Sequence, residues 1–266
     1  LLGYLLNWGL FGVLCIQIYM YYLAFPRDSR TLKCLVYFLF FTDIVQTVHN
    51  AWHFLVKGWG DPTVLDYPGW SWIAVPLLSG IVSATVQLFF SWRIWILSSS
   101  WILSCAIALV ALTQGICAMI SGIWFSFVNN VTKISKLSTP ATIWLGGSAL
   151  TDVLITASLV YHLRKSSTGF ETTDDILTRL IRMTIETGAV TTFAATAELI
   201  LYLVFKENNL VNMIPALALA KLYTNTLLAT LNSRNPVFKS SSQRSMSSNM
   251  WSGGADMHPR VCVFPY

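Results

Sequence analysis

Long apolar stretches, each broken by a short cluster of turn-forming or charged residues, set the rhythm of this chain. A helix needs about 20 apolar residues to cross a bilayer, and seven stretches qualify: roughly 1–25, 34–56, 71–97, 101–125, 141–163, 180–205 and 210–232. Pro26-Arg27-Asp28-Ser29 closes the first, and Gly58-Trp59-Gly60-Asp61-Pro62 closes the second. Ser98-Ser99-Ser100 parts the third from the fourth, and Ser138-Thr139-Pro140 precedes the fifth. The third-to-fourth boundary is the weakest, because Arg93 is the only charge between Trp70 and Phe127. At about 1.5 Å per residue that run is too long for one crossing and must fold back. The predicted fold class is therefore an all-α membrane protein, a seven-transmembrane helix bundle over residues 1–233.

Polar residues inside these stretches are few and periodic. In the second span Asp43, Gln46, Asn50 and His53 recur at steps of three and four. At about 100° per residue they share an arc of about 80°, a stripe that lipid cannot satisfy and the bundle interior can. Thr184, Thr187, Thr191 and Glu198 repeat the pattern in the sixth span, and Lys221 and Asn225 lie one turn apart in the seventh, with Thr224 adjacent. Asp152 follows Gly146-Gly147-Ser148 near the centre of the fifth. Because the spans run antiparallel, Asp43, Asp152 and Lys221 fall at similar, roughly midplane depth, with Glu198 and His53 toward the outer side. The expectation is a midplane ion pair between Lys221 and either Asp152 or Asp43, extended by hydrogen bonds from Asn225 and Gln46. Such a pair serves as a packing clasp or as part of a ligand, ion or proton site, and both roles predict sensitivity to mutation.

Composition agrees. The 266 residues are 55% hydrophobic and 11% charged, with mean hydropathy +0.59, whereas soluble domains carry about 25% charged residues. The net charge of +5 resides in short loops, which excludes a nucleic-acid footprint. Arg27, Arg30, Lys33, Arg93, Arg164, Lys165, Arg179, Arg182, Arg234, Lys239, Arg244 and Arg260 fall on one side, and Lys57, Lys133, Lys136 and Lys206 on the other. Twelve against four orients the amino terminus outside and the carboxyl terminus in the cytoplasm. Asn130-Val131-Thr132, a glycosylation sequon, then lies outside. Trp59, Trp70, Trp72, Trp92, Trp95, Trp101 and Trp124 sit near span ends, as in an interfacial belt. Residues 234–266, rich in serine and without an apolar period, read as a disordered cytoplasmic tail, a candidate for phosphorylation and for a cytoplasmic partner. Before the sixth span, Thr172 is placed to cap a helix with Asp175 third in line, and Arg182 to pair with Glu186 at i,i+4. The chain opens Leu-Leu-Gly inside an apolar run, so residues are expected before Leu1. Without a basic n-region or a small-residue cleavage site, that stretch reads as a spanning helix and not a signal peptide.

Several familiar chemistries fail. The five cysteines form no paired spacing and read as small hydrophobes, with Cys34 near a membrane face a candidate for acylation. His49 and His53 have zinc-binding spacing, but a third ligand is needed and only Glu198 or Asp66 comes into question, so a membrane zinc hydrolase is the least favoured reading. Lys221 in a seventh helix invites a retinal Schiff base, yet the third span has no acid and Leu217 occupies the position one turn before the lysine. Neither an acid-Arg-aromatic triplet at Trp92-Arg93 nor an Asn-Pro-x-x-Tyr run in the seventh span is present. No catalytic constellation is complete, so no enzyme activity, metal or cofactor is expected.

Two stretches carry a resemblance. Ser166-Ser167-Thr168-Gly169-Phe170-Glu171-Thr172-Thr173-Asp174 with Thr184-Ile185-Glu186-Thr187-Gly188 is one; Lys221-Leu222-Tyr223-Thr224-Asn225 leading to Leu228-Ala229-Thr230-Leu231-Asn232-Ser233-Arg234 is the other. With Asp43 and Asp152 they resemble a large family of uncharacterised multi-pass membrane proteins of mushroom-type fungi, a domain of unknown function, over about residues 1–235. The chain departs from that family at Glu186, where a neutral polar residue is usual, and at its shortened amino terminus. The resemblance implies topology and membrane location and no activity. The leading expectation is a receptor-like or sensor protein binding a small or lipid-like ligand inside the bundle; the alternative is a small transporter or ion pathway, though no inverted repeat is visible.

Overall fold

A computed structural model describes residues 2–52, 71–98, 100–127, 138–165, 171–204 and 213–234. They form seven α-helices: α1 Leu2–Ala24, α2 Arg30–Trp52, α3 Ser71–Ser98, α4 Trp101–Phe127, α5 Ser138–Lys165, α6 Glu171–Val204 and α7 Met213–Asn232. Each is long and apolar enough to cross a membrane. Together they make up the compact unit Leu1–Ser233. The tail after Arg234, the sequon at Asn130, and His53, Asp66 and Cys262 lie outside the described residues.

The breaks have local causes. Between α1 and α2, the Tyr21 hydroxyl donates to Asp28 Oδ2 at 3.0 Å, and the amide of Leu32 donates to Ser29 Oγ at 3.4 Å, an N-cap contact that starts α2 four residues earlier than expected. The α3–α4 fold-back occurs at Ser98–Ser100, where the Ser100 amide donates to Ser98 Oγ at 3.1 Å. Farther in, Ser91 and Ser104 bond each other's carbonyl oxygens across the hairpin. α6 begins at Glu171, which places Thr172 within the first helical turn and corrects the reading of Thr172 as the residue preceding the helix. The Arg182–Glu186 pair forms as expected, with Nε 2.7 Å from Oε1, on an exposed face.

Helix α7 occupies the middle. It packs on α1, α2, α3 and α6, while α3 also packs on α4 and α5, and α5 on α4 and α6. Helices α1 and α7 run in the same direction, as an odd number of crossings requires. Three asparagine side chains tie them: Asn7 donates to the Leu217 carbonyl (2.7 Å), Asn225 to that of Leu10 (3.2 Å) and Asn232 to that of Gln17 (2.8 Å).

Burial is inverted relative to a water-soluble domain. Leu109, Ile116, Leu150 and Phe193 are exposed at midspan or near it, while Asp43, Gln46, Gln87, Asp152, Glu198 and Lys221 are buried. Only an apolar solvent makes both halves of that distribution favourable. Trp92, Trp95, Trp101 and Trp124 are exposed near helix ends, where indole rings suit the interface. Cys15, Cys34 and Cys105 are exposed free thiols and Cys117 is half-buried, in keeping with their reading as small hydrophobes.

Inside such a bundle, packing rests on close backbone approach through small residues. At Gly80 on α3 an added Cβ would collide with the Ala118 Cβ of α4, and at Gly115 it would stand 3.0 Å from that of Ala84. Gly80→Leu should therefore force α3 and α4 apart, losing about 1–3 kcal/mol as an overpacked core does. A melting midpoint in detergent unchanged from wild type would contradict this contact.

Candidate functional site

Two polar centres lie inside the bundle, on opposite faces of α7. Lys221 and Tyr223 are two residues apart, hence about 200° around the helix, so one faces α2 and the other faces α5.

The first centre is a clasp whose ammonium is saturated, while Asp43 Oδ2 has no hydrogen-bond partner among the described residues. The Lys221 ammonium donates to Asp43 Oδ1 at 2.8 Å, to the Asp43 carbonyl oxygen at 3.0 Å and to Gln46 Oε1 at 3.0 Å. All three ammonium donors are thus used, by two residues one turn apart on the predicted α2 stripe. Gln46 passes the connection on, its Nε2 donating to Ser79 Oγ of α3 at 3.2 Å. Both charged side chains are fully buried, so the pair is neutral overall and shielded from screening. Thr224 turns its hydroxyl to the Ala220 carbonyl at 3.3 Å. Asn225 takes a different part from the one expected: it bonds the Lys221 carbonyl (2.7 Å) and the Leu10 carbonyl, fixing backbone and not the ion pair.

The second centre gathers around Asp152; of the two acids expected to answer Lys221, Asp43 is the one that pairs with it. Asp152 is not the partner of Lys221. Its Oδ1 accepts from Gln87 Nε2 of α3 at 2.9 Å, and its Oδ2 accepts from the Tyr223 hydroxyl of α7 at 2.8 Å. With its proton committed to Asp152, Tyr223 must accept from Ser148, 2.7 Å away. Gln114 of α4 donates to the side-chain Oε1 of Gln87, and Thr191 of α6 lines the adjoining cavity with its hydroxyl turned to the Gly188 carbonyl at 3.2 Å. Helices α3 and α7 therefore hold the α5 carboxylate through neutral donors, with α4 bracing Gln87 behind it. Gln87, Gln114, Ser148, Ser79 and Tyr223 were not singled out as site residues from the sequence. The two glutamines carried a usable signal, being lone amides at mid-span in apolar helices.

Beside Asp152 is a cavity of about 20 Å³, room for roughly one water. Its walls include Thr156, Thr184, Thr187, Thr191, Thr226 and Thr230. Thr184 and Thr187 spend their protons on the Leu180 and Met183 carbonyls of their own helix, at 2.7 and 2.6 Å. Their oxygens can then only accept, so carboxylate and lining together suit a donor-bearing or cationic guest.

Glu198 and Asn50 are also buried, as their stripes predict. Glu198 Oε2 and Asn50 Nδ2 have no hydrogen-bond partner among the described residues. A Cβ added at Gly146 would stand 3.9 Å from Leu199 Cδ2 across the α5–α6 interface, which sets Glu198 near the level of Ser148. No group of three His, Cys, Asp or Glu side chains able to hold a metal occurs among the described residues, and His53 lies beyond them.

Residues 148–236 match a family of unknown function (DUF6534). That third of the chain contains Ser148, Asp152, Glu198, Lys221 and Tyr223, while Asp43, Gln46, Gln87 and Gln114 precede it. No curated protein and no solved structure is detectably similar.

Proposed function

We propose that this multi-pass membrane protein is receptor-like: a sensor without enzymatic activity, whose responsive site is Asp152 and whose amino terminus faces outside and carboxyl terminus the cytoplasm. The observation that carries the reading is a buried carboxylate, held by neutral donors from Gln87 and Tyr223 where α3, α5 and α7 meet. A small or lipid-like guest bearing an amine or other strong donor would compete with those two side chains for the carboxylate. Its arrival would release α3 and α7 from α5, a local exchange with a bundle-wide result. Since the cavity holds only about one water, a guest cannot enter without helix rearrangement, so binding and conformational response are coupled. The tail at 234–266 is the natural place for a cytoplasmic partner.

A proton or ion pathway is the second reading. Glu198 supports it, as another buried carboxyl with an uncommitted oxygen near the same level. Proteoliposomes holding the purified protein, loaded with a pH dye and given a membrane potential, separate the two. The sensor reading expects proton leak equal to that of empty liposomes. A leak above background that disappears in Asp152→Asn would install the pathway instead.

A further inference from the structure

We propose that the groove between α5 and α6 on the outer surface of the bundle binds one anionic phospholipid, its acyl chain along the groove and its phosphate on Arg164 and Lys165. Two hollows of about 580 and 420 Å³ adjoin there, sharing Ala157 and Val160. The larger is apolar, walled by Val153 and Val160 on one side and by Ile185, Ala189 and Phe193 on the other. The smaller carries the groove along α5 past Tyr161 to Arg164 and Lys165. A greasy trough ending in two adjacent cations matches the shape and charge of a lipid with an acidic headgroup.

The cations are available for it. Both are exposed, and neither is in an ion pair among the described residues. Arg182, on the same face of α6 one turn beyond Ile185, has its Nε committed to Glu186. Tyr161, exposed one turn before Lys165, adds a phenol at the depth where headgroups lie. The groove also has a built floor. At Gly188 an added Cβ would strike the Thr156 side chain, so α5 and α6 touch there, and Thr156 and Gly188 line both this groove and the Asp152 cavity. One residue layer separates a bound chain from the polar interior. The assignment of the groove does not depend on what Asp152 senses.

Native mass spectrometry of the detergent-purified protein tests it, with phosphatidylglycerol and phosphatidylcholine of identical acyl chains as probes. One phosphatidylglycerol should be retained in preference to phosphatidylcholine. Arg164→Gln/Lys165→Gln should weaken that retention by roughly tenfold or more, while Arg27→Gln/Arg30→Gln leaves it intact. Ala157→Trp, which blocks the trough and keeps both cations, should weaken it as well, so the outcome does not hang on one variant's folding. Equal retention by wild type and both groove variants would overturn the proposal. So would equal retention of the two lipids, full competition by inorganic phosphate, or a dimer that buries the groove.

Discussion

Replacing Lys221 with methionine is expected to remove most of the folded, monodisperse protein. The substitution keeps most of the side-chain length and removes the cation that answers Asp43, whose carboxylate is fully buried. Breaking one half of a buried pair costs about 3–5 kcal/mol, against a total stability of about 5–15 kcal/mol for a typical domain. Gln46 loses its acceptor role in the same step, so the link from α2 to α3 through Ser79 weakens too. The double variant Lys221→Met/Asp43→Leu, which leaves no charge behind, should recover much of the loss, as apolar replacement of buried pairs does elsewhere. Exchanging the charges, Lys221→Asp with Asp43→Lys, should rescue partially, whereas Lys221→Asp with Asp152→Lys should not. Size-exclusion profiles and melting midpoints in detergent read all four variants. Equal midpoints for Lys221→Met and wild type would remove the clasp from the account.

The second large effect is expected at Asp152. Asp152→Leu leaves Gln87 Nε2 and the Tyr223 hydroxyl aimed at a methyl group, and an orphaned buried donor costs about 1–3 kcal/mol. Asp152→Asn should be milder, because its carbonyl oxygen still accepts one of the two bonds. Tyr223→Phe should fall between them, losing the bond to Asp152 and stranding Ser148. That order, Leu worst, then Phe at 223, then Asn, distinguishes a hydrogen-bonded hub from a carboxylate that merely fills space. Melting midpoints in any other order would contradict the assignment of donors and acceptors.

How far the sequence reaches is visible in these two centres. Length and hydropathy were sufficient for seven helices, and the stripe of Asp43, Gln46 and Asn50 does face inward. Depth could be compared too, since residue count along antiparallel helices measures it. Azimuth could not. Asp43 and Asp152 both match Lys221 in depth, and choosing between them requires knowing which neighbour each face of α7 meets. The answer depends on packing between helices distant in sequence, set by close contacts such as Gly80 with Ala118 and Gly188 with Thr156. The same limit hid the role of Tyr223, whose phenol reads equally well as an interfacial or core ring until its partner is known. Gln87 and Gln114 were legible as lone amides in apolar helices, and their mutual bond was not.

Everything rests on lipid surrounding the helices while polar groups occupy the interior. Nitroxide labels attached through Leu109→Cys, Leu150→Cys and Val190→Cys, one at a time in a background without native cysteines and in bilayers, test that most directly by power saturation. The account predicts strong collision with oxygen and almost none with a water-soluble nickel chelate at all three. Labels that collide freely with nickel at these exposed positions would show water where the bundle requires hydrocarbon.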